Sequence, residues 1–143
     1  MPTSLLAPAA ILALWTLIML IWLGVSRFSA IARSGVDVKN APPGGRGQDL
    51  EAILPPQANW KRHNYSHLLE QPVLFYAVIL CLHLSGGTSD LTRYLAWAYV
   101  ALRIIHSLWQ ATTNRIPVRL MLFTLSTICL FALTILAVVT TMG

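Results

Sequence analysis

Residues 120–143 read LMLFTLSTICLFALTILAVVTTMG, and no side chain in the stretch carries a charge. A bilayer core about 30 Å thick is crossed by about 20 predominantly apolar residues of helix, so this run is long enough by itself. It shows no period-two alternation, and lipid cannot satisfy free backbone groups, so it reads as a helix. Working back along the chain, residues 91–113 are apolar apart from Arg93 near the start and Arg103 in the middle, and residues 71–89 lie uncharged between Glu70 and Asp90. From Met1 to Ser26 there is again no charge, and Leu5–Val25 is long enough to cross. The fold expected is an all-α membrane protein, a four-transmembrane-helix bundle. Its spans fall near 5–26, 66–85, 91–113 and 119–141, with a long connection near 27–63, all in one domain covering 1–143.

Composition agrees with that reading. The chain is 56% hydrophobic and 10% charged, with mean hydropathy +0.64, whereas a water-soluble domain carries about 25% charged residues. A soluble enzyme domain, a disordered segment and a fibrous repeat are all excluded. Cys81 and Cys129 lie inside apolar runs, so no disulfide framework is expected. A net charge of +5 would suggest nucleic acid in a soluble protein; here the cations flank apolar segments, which points to membrane topology and to no nucleic-acid partner. Because Arg27 and Arg33 follow the first apolar run instead of preceding it, that run is expected to be a span and not a cleaved signal peptide.

Six of the ten cations (Arg27, Arg33, Lys39, Arg46, Lys61 and Arg62) lie in the first connection; Arg115 and Arg119 lie in the third, and only Arg93 in the second. The positive-inside rule then makes connections one and three cytoplasmic and puts both termini on the far side. The compact chain with its short N-terminus fits a bacterial inner membrane, with the termini periplasmic. Trp22, Trp60, Tyr65, Tyr94 and Trp109 fall near span ends, as interfacial aromatics do. Residues 41–47, APPGGRG, break any helix, and Asp49–Leu54 has the pattern of a short surface helix before Pro55 and Pro56. A solvated loop is the simpler reading of this connection and a flap over a membrane-side site the other.

Ionisable groups within a bilayer are unfavourable by roughly 2.5–3.5 kcal/mol for a central Arg or Asp on insertion scales, so they face protein or water and tend to be functional. His63, His67 and Glu70 stand at i, i+4 and i+7 on the second helix, flanked by Arg62 and Asn64; Arg103, His106 and Gln110 stand at i, i+3 and i+7 on the third. The simplest arrangement sets the two stripes against each other or against a neighbouring subunit. A structural role is the alternative, with Glu70 paired to Arg103 across an offset of about 8–10 Å along the normal, or with His106 as partner. His63, His67 and Glu70 have an orientation a metal can use, but Asn64 departs from His-Glu-x-x-His, and no metal is expected. Arginines offer donor forks to carboxylates and Glu70 an acceptor to an ammonium group, so glutathione is one suitable ligand among several. A proton relay or small transporter built on Glu70, Arg103 and His106 is another possibility.

At these residues the sequence resembles the MAPEG family, membrane-associated proteins in eicosanoid and glutathione metabolism. Residues 63–76, HNYSHLLEQPVLFY, are similar to the family's signature around its Glu; Arg103-x-x-His106 followed by Arg115-x-Pro117-x-Arg119 is similar to the stretch that ends in a thiolate-activating Arg. The resemblance implies a homotrimer, with glutathione held between subunits near the cytoplasmic face and a lipophilic substrate arriving from membrane lipid. By position it implies Glu70 for the glutathione amino group and Arg119 as the catalytic cation. Arg62, His63, His67, Arg103, His106, Gln110 and Arg115 would line the rest of the site. His67, His63 and Gln110 stand where glutathione-binding branches commonly carry Asn, Arg and Tyr. The function expected is a glutathione-dependent transferase or peroxidase acting on lipophilic electrophiles, and the alternative is a non-catalytic member that binds lipid or a small ligand.

Overall fold

The computed structural model describes residues 4–35, 37 and 39–143. Helix α1 runs Leu6–Ser34, α2 Pro56–Glu70, α3 Pro72–Leu84, α4 Asp90–Thr112 and α5 Ile116–Met142, and no strand occurs among the described residues. Helices α2 and α3 form one long rod. Gln71 keeps helical angles between them (φ −64°, ψ −40°), but Pro72 has no N–H for the Leu68 carbonyl, so the rod is interrupted there. Counted this way the protein is an all-α bundle of four long helices. Three of them, α1, α2–α3 and α5, have the length and hydropathy of membrane spans.

Each helix end has a local cause. Glycine in the left-handed region terminates α1, at Gly35 (φ 73°). A reciprocal capping box starts α4, with the Ser89 hydroxyl accepting from the Thr92 N–H and the Thr92 hydroxyl accepting from the Ser89 N–H. Between α4 and α5 the chain reverses through Asn114, a non-glycine residue at φ 52° whose N–H donates to the Trp109 carbonyl at 2.7 Å.

The core is a stripe from every helix: Leu12 and Met19 of α1, Leu68 of α2, Phe75, Ile79 and Leu82 of α3, Ala96, Tyr99 and Val100 of α4, Leu130, Leu133 and Ala137 of α5. Outside it a broad apolar surface remains exposed, including Leu14, Leu17, Ile21, Leu80, Ile128, Phe131 and Ile135. A soluble protein does not tolerate this much exposed apolar area. One polar tie crosses the core at the α2–α3 joint. Tyr99 donates to Gln71 Oε1 at 3.1 Å, Gln71 Nε2 donates to Thr127 Oγ1 at 3.0 Å, and the Tyr99 ring stacks on Phe75 with centroids 4.4 Å apart.

The first connection is shorter than expected, because α1 continues to Ser34 and α2 begins at Pro56. The surface helix expected at Asp49–Leu54 is instead a 3-10 turn at Gly47–Leu50 followed by turn hydrogen bonds from Ile53 and Leu54 to Leu50. So short a segment, stopped by two prolines, does not repay α-helix nucleation. The turn is tied back onto the helices. Arg27 donates to the Gly47 carbonyl, Asn59 Nδ2 to the Glu51 carbonyl, and the Glu51 carboxylate holds Arg62 at 3.1 Å and His63 at 2.9 Å.

Candidate functional site

The buried face of α2 is set by Asn64 and Leu68, both about 1% exposed. At about 100° per residue, His67 lies beside that face, whereas Glu70 is rotated about 200° from Leu68 and points outward. Helix α4 turns Arg103, His106 and Gln110 inward together, and all three are buried. The two helices meet through these residues. Arg103 Nη2 lies 2.7 Å from His67 Nδ1 and 3.4 Å from the His67 carbonyl. A guanidinium has no lone pair to offer, so His67 Nδ1 accepts and the imidazole proton sits on Nε2. The His67 and His106 rings stack with centroids 4.9 Å apart and planes inclined by 18°, and Phe123 of α5 meets His67 edge-on at 5.4 Å.

Beside this stack a cleft of about 280 Å³ is lined by His67, His106, Gln110, Arg119 and Phe123, with Ile116 and Leu120 supplying apolar wall. Arg119 reaches it from the first turn of α5, and its Nη1 donates to Asn114 Oδ1 at 2.6 Å. The left-handed conformation of Asn114 both reverses the chain and places that carboxamide. No carboxylate lines the cleft among the described residues. Several buried polar atoms around it have no partner among those residues: Arg103 Nε and Nη1, Gln110 Oε1, and nearby Asn64 Oδ1 and Ser107 Oγ. Buried polar atoms are normally satisfied, so this seam between α2 and α4 is chemically unfinished and has donors and acceptors to offer a polar ligand.

Of the residues singled out from sequence, the structure gathers His67, Arg103, His106, Gln110 and Arg119. Arg62 and His63 are instead drawn to Glu51, whose carboxyl is held below the usual carboxylate range by the His63 hydrogen bond and by Arg62. Glu70 and Arg115 are exposed and do not line the cleft. No Glu70–Arg103 ion pair forms among the described residues; the Arg103 fork goes to His67. The side chains that sequence spacing did not single out are Asn114 and Phe123. A lone Asn at a helix–helix reversal with no glycine is the signal for the first, and the i, i+4 relation to Arg119 is the signal for the second.

Comparison with curated proteins and with solved structures returns no match. A family model, described as MAPEG family, matches residues 5–139, nearly the whole chain. With its helical bundle, its long apolar helices and that match, the chain belongs to the MAPEG family.

Proposed function

We propose that the protein is a glutathione-dependent transferase or peroxidase of lipophilic electrophiles. In this reading it is a homotrimer of four-span subunits in a bacterial inner membrane, with connections one and three cytoplasmic and both termini periplasmic. The observation that carries the reading is the cleft beside Arg103. It combines one arginine, two imidazoles and a carboxamide with apolar wall, Arg103 stands against His67 beside it, and unpartnered donors and acceptors lie nearby.

The donor set fits glutathione. Arg119 and the free Nε and Nη1 of Arg103 suit its carboxylates, and Gln110 Oε1 suits an amide or ammonium N–H. Glutathione supplies the thiol nucleophile when bound. Arg119 would lower the thiol pKa by stabilising the thiolate, and its tether to Asn114 would pre-orient the guanidinium so that little reorganisation accompanies reaction. Phe123, Leu120 and Ile116 would exclude water and admit an apolar substrate from the lipid side. Glu70, exposed on α2, is available to a ligand shared with a neighbouring subunit, where it would accept the ammonium group; Arg62, His63 and Arg115 would lie at the rim.

Isothermal titration of the detergent-purified protein with glutathione, run beside Glu70→Gln and Arg119→Ala, tests the reading. Millimolar or tighter binding weakened by Glu70→Gln is expected, with Arg119→Ala reducing turnover more than affinity. Absence of binding in a well-folded sample refutes it. One observation favours the second reading, a non-catalytic protein that binds lipid or a small ligand: Nη2 of Arg103 is already taken by His67 at 2.7 Å. Bound lipid on the purified protein, with no thiol conjugation across a substrate panel, would establish that alternative.

A further inference from the structure

A second cleft lies away from Arg103, where the end of α1 meets the turn before α2. It encloses about 680 Å³ and is lined by Val25, Ser26 and Ser29 of α1, Ile53 and Pro55 of the connection, and Ala58 of α2, with Arg33 contributed by α1 and Lys61 by α2. No carboxylate lines it among the described residues. Of the acidic residues near it in sequence, Glu51 is engaged by Arg62 and His63, and Asp37 by the Lys39 N–H and the Asn40 amide.

Its depth is fixed by the residues around it. Ser26 is the last residue before the first cation of α1, and Arg33 stands seven residues further, about 10 Å along the helix. The Lys61 ammonium lies 5.2 Å from the centroid of the Trp22 ring, an interfacial aromatic, and donates to the Gln57 carbonyl. Val25 and Ile53, 63% and 57% exposed, give the cleft apolar as well as cationic lining. An amphiphilic anion at the end of an apolar span meets both kinds of lining.

We propose that this cleft binds the phosphodiester headgroup of an anionic phospholipid. Arg33 offers a planar fork to two phosphate oxygens, Lys61 a point charge from α2, and the Ser26 and Ser29 hydroxyls donors to a glycerol or a free oxygen. The acyl chains leave past Val25, on the apolar span itself, into the bilayer. Free phosphate shares the anionic chemistry but has no use for the apolar lining, and that lining is what selects the lipid. The site is separate from the proposed thiol chemistry and does not depend on it.

Native mass spectrometry of the full-length protein, titrated with phosphatidylglycerol or with phosphatidylcholine, tests this. Phosphatidylglycerol is expected to be retained at least fivefold more tightly. The preference should disappear in Arg33→Gln/Lys61→Gln and in Ser29→Asp, which adds a repelling charge without removing a cation, and it should survive Arg93→Gln. Equal retention of the two lipids, or an unchanged preference in both cleft variants, overturns the proposal. So does displacement of phosphatidylglycerol by millimolar inorganic phosphate, which would make the free anion the ligand. A crosslinker at Ser29→Cys, in a background with Cys81 and Cys129 changed to Ser, that captures a second copy of the chain would mean the cleft is filled by protein and would equally overturn it.

Discussion

Asn114 joins two quantities that mutation can separate: the strain of the α4–α5 reversal and the position of Arg119. Its φ of 52° is left-handed, a conformation that disfavours an L-residue by about 1–2 kcal/mol, with Asn among the exceptions. Its Oδ1 accepts from Arg119 Nη1 at 2.6 Å, a charge-assisted bond at a half-buried site and so worth about 1 kcal/mol net. Asn114→Ala loses the bond and incurs the strain, about 2–3 kcal/mol together; Asn114→Gly loses only the bond. At about 2–4 °C per kcal/mol for a chain of this size, the alanine variant should melt about 4–12 °C lower and the glycine variant about 3 °C lower. If the proposed thiol chemistry holds, the effect on its rate should be the same in both, because both free the arginine. Re-ordering a long side chain costs up to about 1.5–2 kcal/mol, and about 1.4 kcal/mol of that is a tenfold fall in rate. Asn114→Asp keeps the acceptor and should retain most of the activity. The assay is conjugation of glutathione to a chlorodinitrobenzene-type electrophile, read beside thermal melting in detergent. If the rate falls only in the alanine variant, in proportion to its stability, the reasoning that Asn114 positions Arg119 is refuted.

Tyr99→Phe keeps the stack on Phe75 but removes the donor to Gln71 Oε1; within a bilayer such a bond is worth about 0.6 kcal/mol on average, so melting should fall by no more than about 3 °C, and a larger drop would mean the Tyr99–Gln71–Thr127 tie is cooperative. The Glu51 carboxyl is depressed below its ordinary value of 4.5, chiefly by the His63 hydrogen bond, so its hold on the turn is complete above that pH and is lost as pH falls through the lowered value. Hydrogen exchange or proteolysis at residues 47–54 should therefore accelerate in acid, and Glu51→Gln should be fast at every pH; acid-insensitive protection in the wild type would contradict this. Gly87→Ala would set a Cβ 2.8 Å from Leu82 Cδ2 and 3.3 Å from Thr140 Cγ2, whereas Gly24→Ala meets nothing within 4 Å. The first should destabilise by about 1–3 kcal/mol and the second should stabilise by about 0.5–1 kcal/mol, compared by melting of the two variants.

The helical rods were legible because uncharged runs of span length have one reading in lipid. On α4 the inward face was legible too, since Arg103, His106 and Gln110 share a helical stripe and all turn into the bundle. The stripe on α2 was not. Spacing alone grouped His63, His67 and Glu70, but packing chose Asn64 and Leu68 for the centre of the contact, which leaves only His67 facing α4. A spread of i, i+4 and i+7 covers about 60° of the helix, and which edge turns inward depends on the partner helix. The Arg103–His67 bond was hidden for the same reason: it depends on the rotation and offset of two rods 36 residues apart in sequence. Asn114 carries both its roles through backbone conformation, which composition does not encode.

Among the described residues, length and hydropathy alone do not class helix α4 with the other three long rods. The distribution of its side chains supports the proposal that it crosses nonetheless. Thr92, Arg103, His106, Ser107 and Gln110 are all buried inside the bundle, so none of them meets the surroundings. Between its polar ends, the large side chains that do, Leu91, Tyr94, Ile105 and Leu108, are apolar or of interfacial type. A helix judged by mean hydropathy is treated as if lipid touched every face, whereas lipid touches only the outer stripe, and here that stripe is as apolar as that of its neighbours. Helix α4 also packs against α1, α2 and α5, which gives its polar face neighbours instead of hydrocarbon. The polarity that lowers its hydropathy is thus the polarity of the cleft beside Arg103. A helix carrying ligand-binding groups into a membrane bundle would be built in this way, apolar outward and unsatisfied inward.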